Sequence, residues 1–262
     1  MKNWIHRILT PRLIAQAGLV FAIAFAMKFV YSVAGVNDLR WILAPTTLFV
    51  ELVTGERFWF ESYVGYMNDE RSFLIADSCS GVNFLIMAFL TLCLMKLRQG
   101  LIRNVSWVFI PASLAAAYLS TVVANTVRIT IAMRLHRMSS DMIWLNPEQL
   151  HRLEGIFIYF GFLVLIFMLA ESFDDLASRR VHVNRNLLQR SLLPLSIYWI
   201  TTLGIPIITG AYKNGSSFWE HSLFVVLTPA ILILPLAAIR WFVRRCRGRV
   251  QYKRESNSFR YS

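Results

Sequence analysis

The stretch Ala76-Asp77-Ser78-Cys79-Ser80-Gly81-Val82-Asn83 gathers a thiol, a carboxylate, two hydroxyls and an amide directly before an apolar run from Phe84 to Met95. Packing alone is a poor reason for that composition, and Cys79 reads first as a nucleophile. An ordinary cysteine is only a few per cent thiolate at neutral pH, and apolar surroundings reduce that fraction, so a neighbouring cation or imidazole is required. Two later stretches offer one each: Asn125-Thr126-Val127-Arg128-Ile129 and His151-Arg152-Leu153-Glu154-Gly155. Gly81 removes a side chain two residues after the sulfur, and the helix expected to begin there would aim backbone N–H groups at a developing oxyanion.

Each residue also has a plainer explanation. Cys79 would be a buried thiol like Cys93, Arg128 a cation snorkelling from a helix end, and His151 a solvated loop residue. Against these stand the polar company of Cys79 and the pairing of Asn125 with Arg128, three apart and so on one helix face. Arg128 lies among Ala124, Val127, Ile129, Ile131 and Ala132, where a charge costs roughly 2.5–3.5 kcal/mol at a span centre. A guanidinium there suits an oxyanion or a substrate carbonyl or carboxylate. His151 is preferred to His136 and His221 because it opens a span at the depth of Cys79, and Gly155, one turn later, permits close helix approach. His6 and His182 fall on the opposite side. Cys246 lies in the tail and Cys93 mid-span, so Cys79 has no disulfide partner. Lys28, inside the first apolar run, is read as a snorkelling cation and a weaker functional candidate.

What must position these groups is a membrane bundle. The 262 residues are 56% hydrophobic with a mean hydropathy of +0.50, and several runs approach the ~20 residues needed to cross a bilayer. Full spans are expected at Leu13–Val36, Ser80–Met95, Val105–Arg134, Leu153–Ala170, Leu192–Tyr212 and Ser222–Ile239. The first is too long for a signal h-region and is expected to be retained. Trp41–Val53, short, broken by Pro45 and carrying Glu51, is expected to be re-entrant or interfacial. The fold class is therefore all-α: a polytopic transmembrane bundle of about six spans plus that short segment.

The segments placed in the cytoplasm hold 18 of the 27 Lys and Arg but only four of the 15 acids, Glu171, Asp174, Asp175 and Glu255. That asymmetry fits the positive-inside rule, with both termini cytoplasmic and Cys79, Arg128 and His151 on the outer face of three successive spans. The net charge of +12 is thus topological, and no nucleic-acid partner is expected. The chain divides into a catalytic core (1–190), two further transmembrane helices (191–240) and a basic cytoplasmic tail (241–262) suited to anionic lipid.

At these residues the chain resembles the exosortase/archaeosortase family of integral-membrane cysteine transpeptidases. The matching motifs are Ala76-x-x-Cys79-Ser80-Gly81-Val82, Asn125-x-x-Arg128-Ile129 and His151-x-x-x-Gly155, in the family's order on successive helices. The resemblance implies a prokaryotic plasma (inner) membrane enzyme with its active site on the extracytoplasmic side. It also implies that Cys79 attacks a peptide carbonyl, His151 serves as general acid and base, and Arg128 stabilises the oxyanion. Substrates would be secreted proteins with a C-terminal sorting signal, namely a motif such as Pro-Glu-Pro, a transmembrane helix and a basic tail. The thioester would be resolved by an amine on a surface glycan or lipid, or by water. Two other readings remain open: a multi-pass transporter with Arg128 and Lys28 as pathway charges, and a purely hydrolytic thiol protease. No cofactor is expected, and no metal, because the His and acidic residues lack HExxH or paired-Cys spacing.

Overall fold

The computed structural model describes residues 10–100, 105–138, 147–177 and 187–204, with isolated residues between 207 and 231. Helix α1 (Pro11–Val33) starts where the sequence allows it to: Pro11 needs no hydrogen-bond acceptor at the first position, and Thr10 caps the helix by accepting from the Leu13 N–H at 3.3 Å. Leu13, Gln16, Val20 and Ala24 form its buried stripe. Gln16, the polar member, donates to the Val105 carbonyl at 3.1 Å, which settles an amide that would otherwise be stranded in an apolar interface.

Helix α2 (Arg40–Thr54) is continuous through Pro45. Its 15 residues extend about 22 Å, short of the ~30 Å hydrocarbon core. Pro45 has no N–H, so the Trp41 carbonyl loses its helical donor. The Tyr118 hydroxyl takes that place at 2.9 Å, and the two rings stack at 5.8 Å. The helix stops at Gly55, whose φ of +77° suits a left-handed cap. Glu51, the charge inside this apolar run, accepts from the Phe58 N–H at 2.7 Å and so fixes the start of the next element.

That element is a three-stranded antiparallel sheet of β1 (Phe58–Glu61), β2 (Gly65–Asn68) and β3 (Leu74–Ile75), ordered β1-β2-β3. Phe58 faces Asn68, and Tyr66 faces Ile75. The Asn68 side chain closes the β2–β3 turn by accepting from the Ser72 and Phe73 N–H groups, both at 2.9 Å. Gly65 sits so close to the Ile75 carbonyl that a Cβ would collide with it. The sheet corrects the all-α expectation: its strands of four, four and two residues are too short for alternation to be read from sequence. It matters because β3 runs directly into the 3₁₀ turn Asp77–Cys79.

Helix α3 (Val82–Gly100) is the centre of the molecule, buried nearly throughout by Phe84, Leu85, Met87, Ala88, Phe89, Leu92 and Cys93. A helix apolar on every face must be surrounded, and α1, α4 (Phe109–Met138), α5 (Pro147–Ala177) and α6 (Leu187–Trp199) all pack against it. On α4 the small residues Ala117, Thr121 and Ala124 are fully buried and let its backbone come close to α3. A π-helical turn, Ile200–Gly204, continues α6.

Among the described residues, four stretches are long and apolar enough to cross a membrane: Pro11–Val33, Asp77–Gly100, Phe109–Leu135 and Glu154–Phe173. The expected fifth span is described without a break only as far as Gly204, where Leu192–Gly204 is a shorter apolar helix. The expected sixth span, apart from a few helical residues between 222 and 231, and the basic tail 241–262 lie outside the described residues.

Candidate active site

Cys79 closes the 3₁₀ turn and is half-buried, while Asp77 and Ser78 before it are exposed. The Asp77 carboxylate accepts from the Ser78 N–H at 2.7 Å and holds the turn. Gly81 then redirects the chain into α3 with φ +72°, a conformation glycine adopts without cost. The space where its side chain would lie is occupied by Asn125 and Thr121 of α4, each 3.2 Å from a Cβ built there. Ser80 is fully buried, and its hydroxyl has no hydrogen-bond partner.

The Asn125 amide, itself fully buried, donates to the Cys79 carbonyl. Its oxygen accepts from the Tyr159 hydroxyl at 2.9 Å, so the orientation of the amide is fixed from both ends. Tyr159 also stacks on Phe84 at 5.0 Å and lies under the Arg128 guanidinium, 5.3 Å from its ring centre. Helix α4 thereby holds the backbone of the candidate nucleophile, through an amide that Tyr159 of α5 keeps in place.

Arg128 does not snorkel. It is 7% exposed, and its guanidinium is within hydrogen-bonding reach of the Cys79 sulfur and Coulombic reach of Glu154. Gly155 provides its room, since a Cβ there would lie 3.9 Å from Arg128 Cδ and Nη1. Two of its nitrogens, Nε and Nη2, are buried without a hydrogen-bond partner. Buried polar groups in proteins are nearly always paired, so two unpaired N–H-bearing nitrogens beside a thiol need an explanation from chemistry.

His151 occupies α5 one helical turn before Gly155 and two before Tyr159; its side chain lies outside the described residues. Spacing by four places the three positions on one face of α5. Of the expected site residues, Cys79, Ser80, Gly81, Asn125, Arg128 and Gly155 are thus brought together, with the His151 backbone on the same helical stripe as Gly155. Tyr159, Thr121 and Glu154 were not singled out from sequence. Continuing the four-residue step from His151 through Gly155 would have reached Tyr159.

A family model described as transmembrane exosortase matches residues 6–169, more than half of the chain and every residue of this cluster. The chain belongs to the transmembrane exosortase family. Exosortase membership agrees with the apolar helices in making this a membrane protein, and it supports a transpeptidase-type role in general terms. No curated protein and no solved structure matches the chain.

Proposed function

We propose that this exosortase is a membrane cysteine transpeptidase acting on secreted proteins that end in a recognition motif, a transmembrane helix and a basic tail. The observation that carries the reading is the buried Arg128 guanidinium, next to the Cys79 sulfur, with Nε and Nη2 unpartnered. Preorganised donors that find no acceptor in the resting protein are what a transient oxyanion requires, and low-dielectric surroundings strengthen them.

In this reading the Cys79 thiolate attacks the scissile carbonyl carbon, and the carbonyl oxygen takes up the negative charge against Arg128 and the first N–H groups of α3. Collapse expels the amine of the tail segment, which takes its proton from His151, and leaves a thioester on Cys79. His151 then removes a proton from an incoming amine on a surface glycan or lipid, and the thioester passes its acyl group to that nitrogen. Water in the acceptor's place gives hydrolysis through the same residues. The charge distribution of the chain supports cytoplasmic termini and an extracytoplasmic active site in the inner membrane of a prokaryote.

The test is intact-mass measurement of a co-expressed secreted protein carrying a Pro-Glu-Pro motif, an apolar helix and a basic tail. Loss of the tail with the wild-type enzyme but not with Cys79→Ala is expected, and any added mass identifies the acceptor. Equal tail removal by both would eliminate Cys79 as nucleophile.

A further inference from the structure

Lys28 lies five residues before the C-terminal end of α1. Its half-buried side chain shares a helical face with Val20, Ala24 and Tyr31, the face turned to α3, whereas the neighbouring stripe Phe21, Phe25 and Phe29 is exposed. Nζ donates to Asn83 Oδ1 at 2.8 Å and lies 5.5 Å from the Tyr31 ring centre. Asn83 is the second residue of α3 and follows Cys79 by four. Tyr31, in turn, is within electrostatic reach of Tyr159, the residue under Arg128. The ammonium is therefore tied to the first turn of the helix that follows the candidate nucleophile.

Neither group that holds this ammonium is charged. Among the described residues Lys28 has no carboxylate partner, and burial alone acts on its charge. A lysine inside an apolar span without a counter-ion is costly and marks a ligand path by default. A lipid phosphate would favour a cation on the exposed phenylalanine stripe, and Lys28 is instead bonded to α3. Asn83 uses its amide oxygen on the ammonium and retains its N–H₂ to donate to the same anion. Ammonium and amide together form a small carboxylate receptor in the first turn of α3, four residues after the thiol in the chain.

We propose that Lys28, positioned by Asn83, is a specificity-determining residue of this site and takes the side-chain carboxylate of an acidic residue on the peptide substrate. The assignment rests on the peptide-cleaving function proposed above, and binding is measured separately so that the two can fail independently. The test uses full-length protein in phosphatidylcholine nanodiscs on the Cys79→Ala background, which binds without cleaving. The probes are fluorescent peptides comprising a Pro-Glu-Pro motif and an apolar helix, with a Pro-Gln-Pro twin.

The protein with Lys28 intact should prefer the Glu peptide by about tenfold, the size expected of a partly exposed charge pair. Lys28→Gln should abolish that preference while leaving affinity for the Gln peptide unchanged, and Lys28→Arg should keep most of it. Lys28→Glu should reverse it toward a Pro-Lys-Pro peptide. Equal binding of Glu and Gln peptides when Lys28 is present, or an undiminished preference in Lys28→Gln, would overturn the proposal. So would loss of peptide discrimination accompanied by Lys28-dependent binding to phosphatidylglycerol, which would assign the cation to lipid. Glu preference through Lys28 without cleavage by the wild-type enzyme would uphold the receptor and refute the enzymatic reading.

Discussion

The Tyr159 hydroxyl is the most informative single group to remove, because one bond separates it from the amide that holds the Cys79 backbone. Tyr159→Phe keeps the ring stacked on Phe84 and under Arg128 but deprives Asn125 Oδ1 of its donor. Asn125 is fully buried, so water cannot replace the lost bond, and an orphaned acceptor costs about 1–3 kcal/mol. If that cost is expressed in the transition state, activity falls roughly 5- to 150-fold, since each 1.36 kcal/mol is tenfold. The loss should appear in kcat with KM little changed, because the amide holds the Cys79 backbone. Tyr159→Leu removes the ring as well, and with it a desolvated cation–π contact worth about 2 kcal/mol, so it should be slower still and should melt earlier. The assay is cleavage of the tripartite-tail substrate by purified enzyme, with thermal unfolding followed in parallel. A Tyr159→Phe enzyme with kcat within twofold of wild type would show that Asn125 transmits nothing to Cys79.

Cys79→Ala, Arg128→Ala and His151→Ala should each abolish processing while membrane insertion, read by fractionation, is retained; Arg128→Lys keeps the charge but loses the planar fork and should cost about 10²–10³ in kcat. Gly81→Ala forces an L side chain to φ +72° and to within 3.2 Å of Asn125 and Thr121. A left-handed cost of about 1–2 kcal/mol should lower the melting temperature together with activity. Gly155→Ala should be nearly silent because its Cβ meets Arg128 at an ordinary 3.9 Å, whereas Gly155→Leu should displace the guanidinium and inactivate the enzyme. Full activity in the leucine variant would separate Arg128 from the reaction. Tyr118→Phe orphans the Trp41 carbonyl in α2 and should lower stability by about 1 kcal/mol with kcat preserved, as read by denaturation and turnover.

Asn125 and Arg128 were legible because a polar side chain in an apolar helix stands out without any three-dimensional information, and Cys79 because its aspartate, serine and asparagine neighbours gather directly before an apolar run. Tyr159 was not, because tyrosine is common in membrane helices and its hydroxyl acquires meaning only when Asn125 arrives from another element. Lys28 was noticed as a charge, but its tie to Asn83 spans 55 positions and leaves no local trace. The sheet escaped even though every relevant residue, from Glu51 to Ile75, is nearby in sequence. Its strands pair through antiparallel backbone ladders and, at four, four and two residues, are too short to show an alternating pattern. Continuity of α2 through Pro45 depended likewise on a hydroxyl contributed by α4, which no reading of residues 40–54 alone could supply.

The clamp on Cys79 seizes a main-chain oxygen and leaves the sulfur out of its grip. The thiol therefore hangs from a rigid pivot by one rotatable bond, like a clapper in a fixed bell, and can swing between guanidinium and substrate without disturbing the frame. Acylation would load the clapper and leave the bell still. For the same reason Cys79→Ala should silence the reaction while preserving the surrounding architecture, so the disarmed protein should serve as a faithful substrate trap.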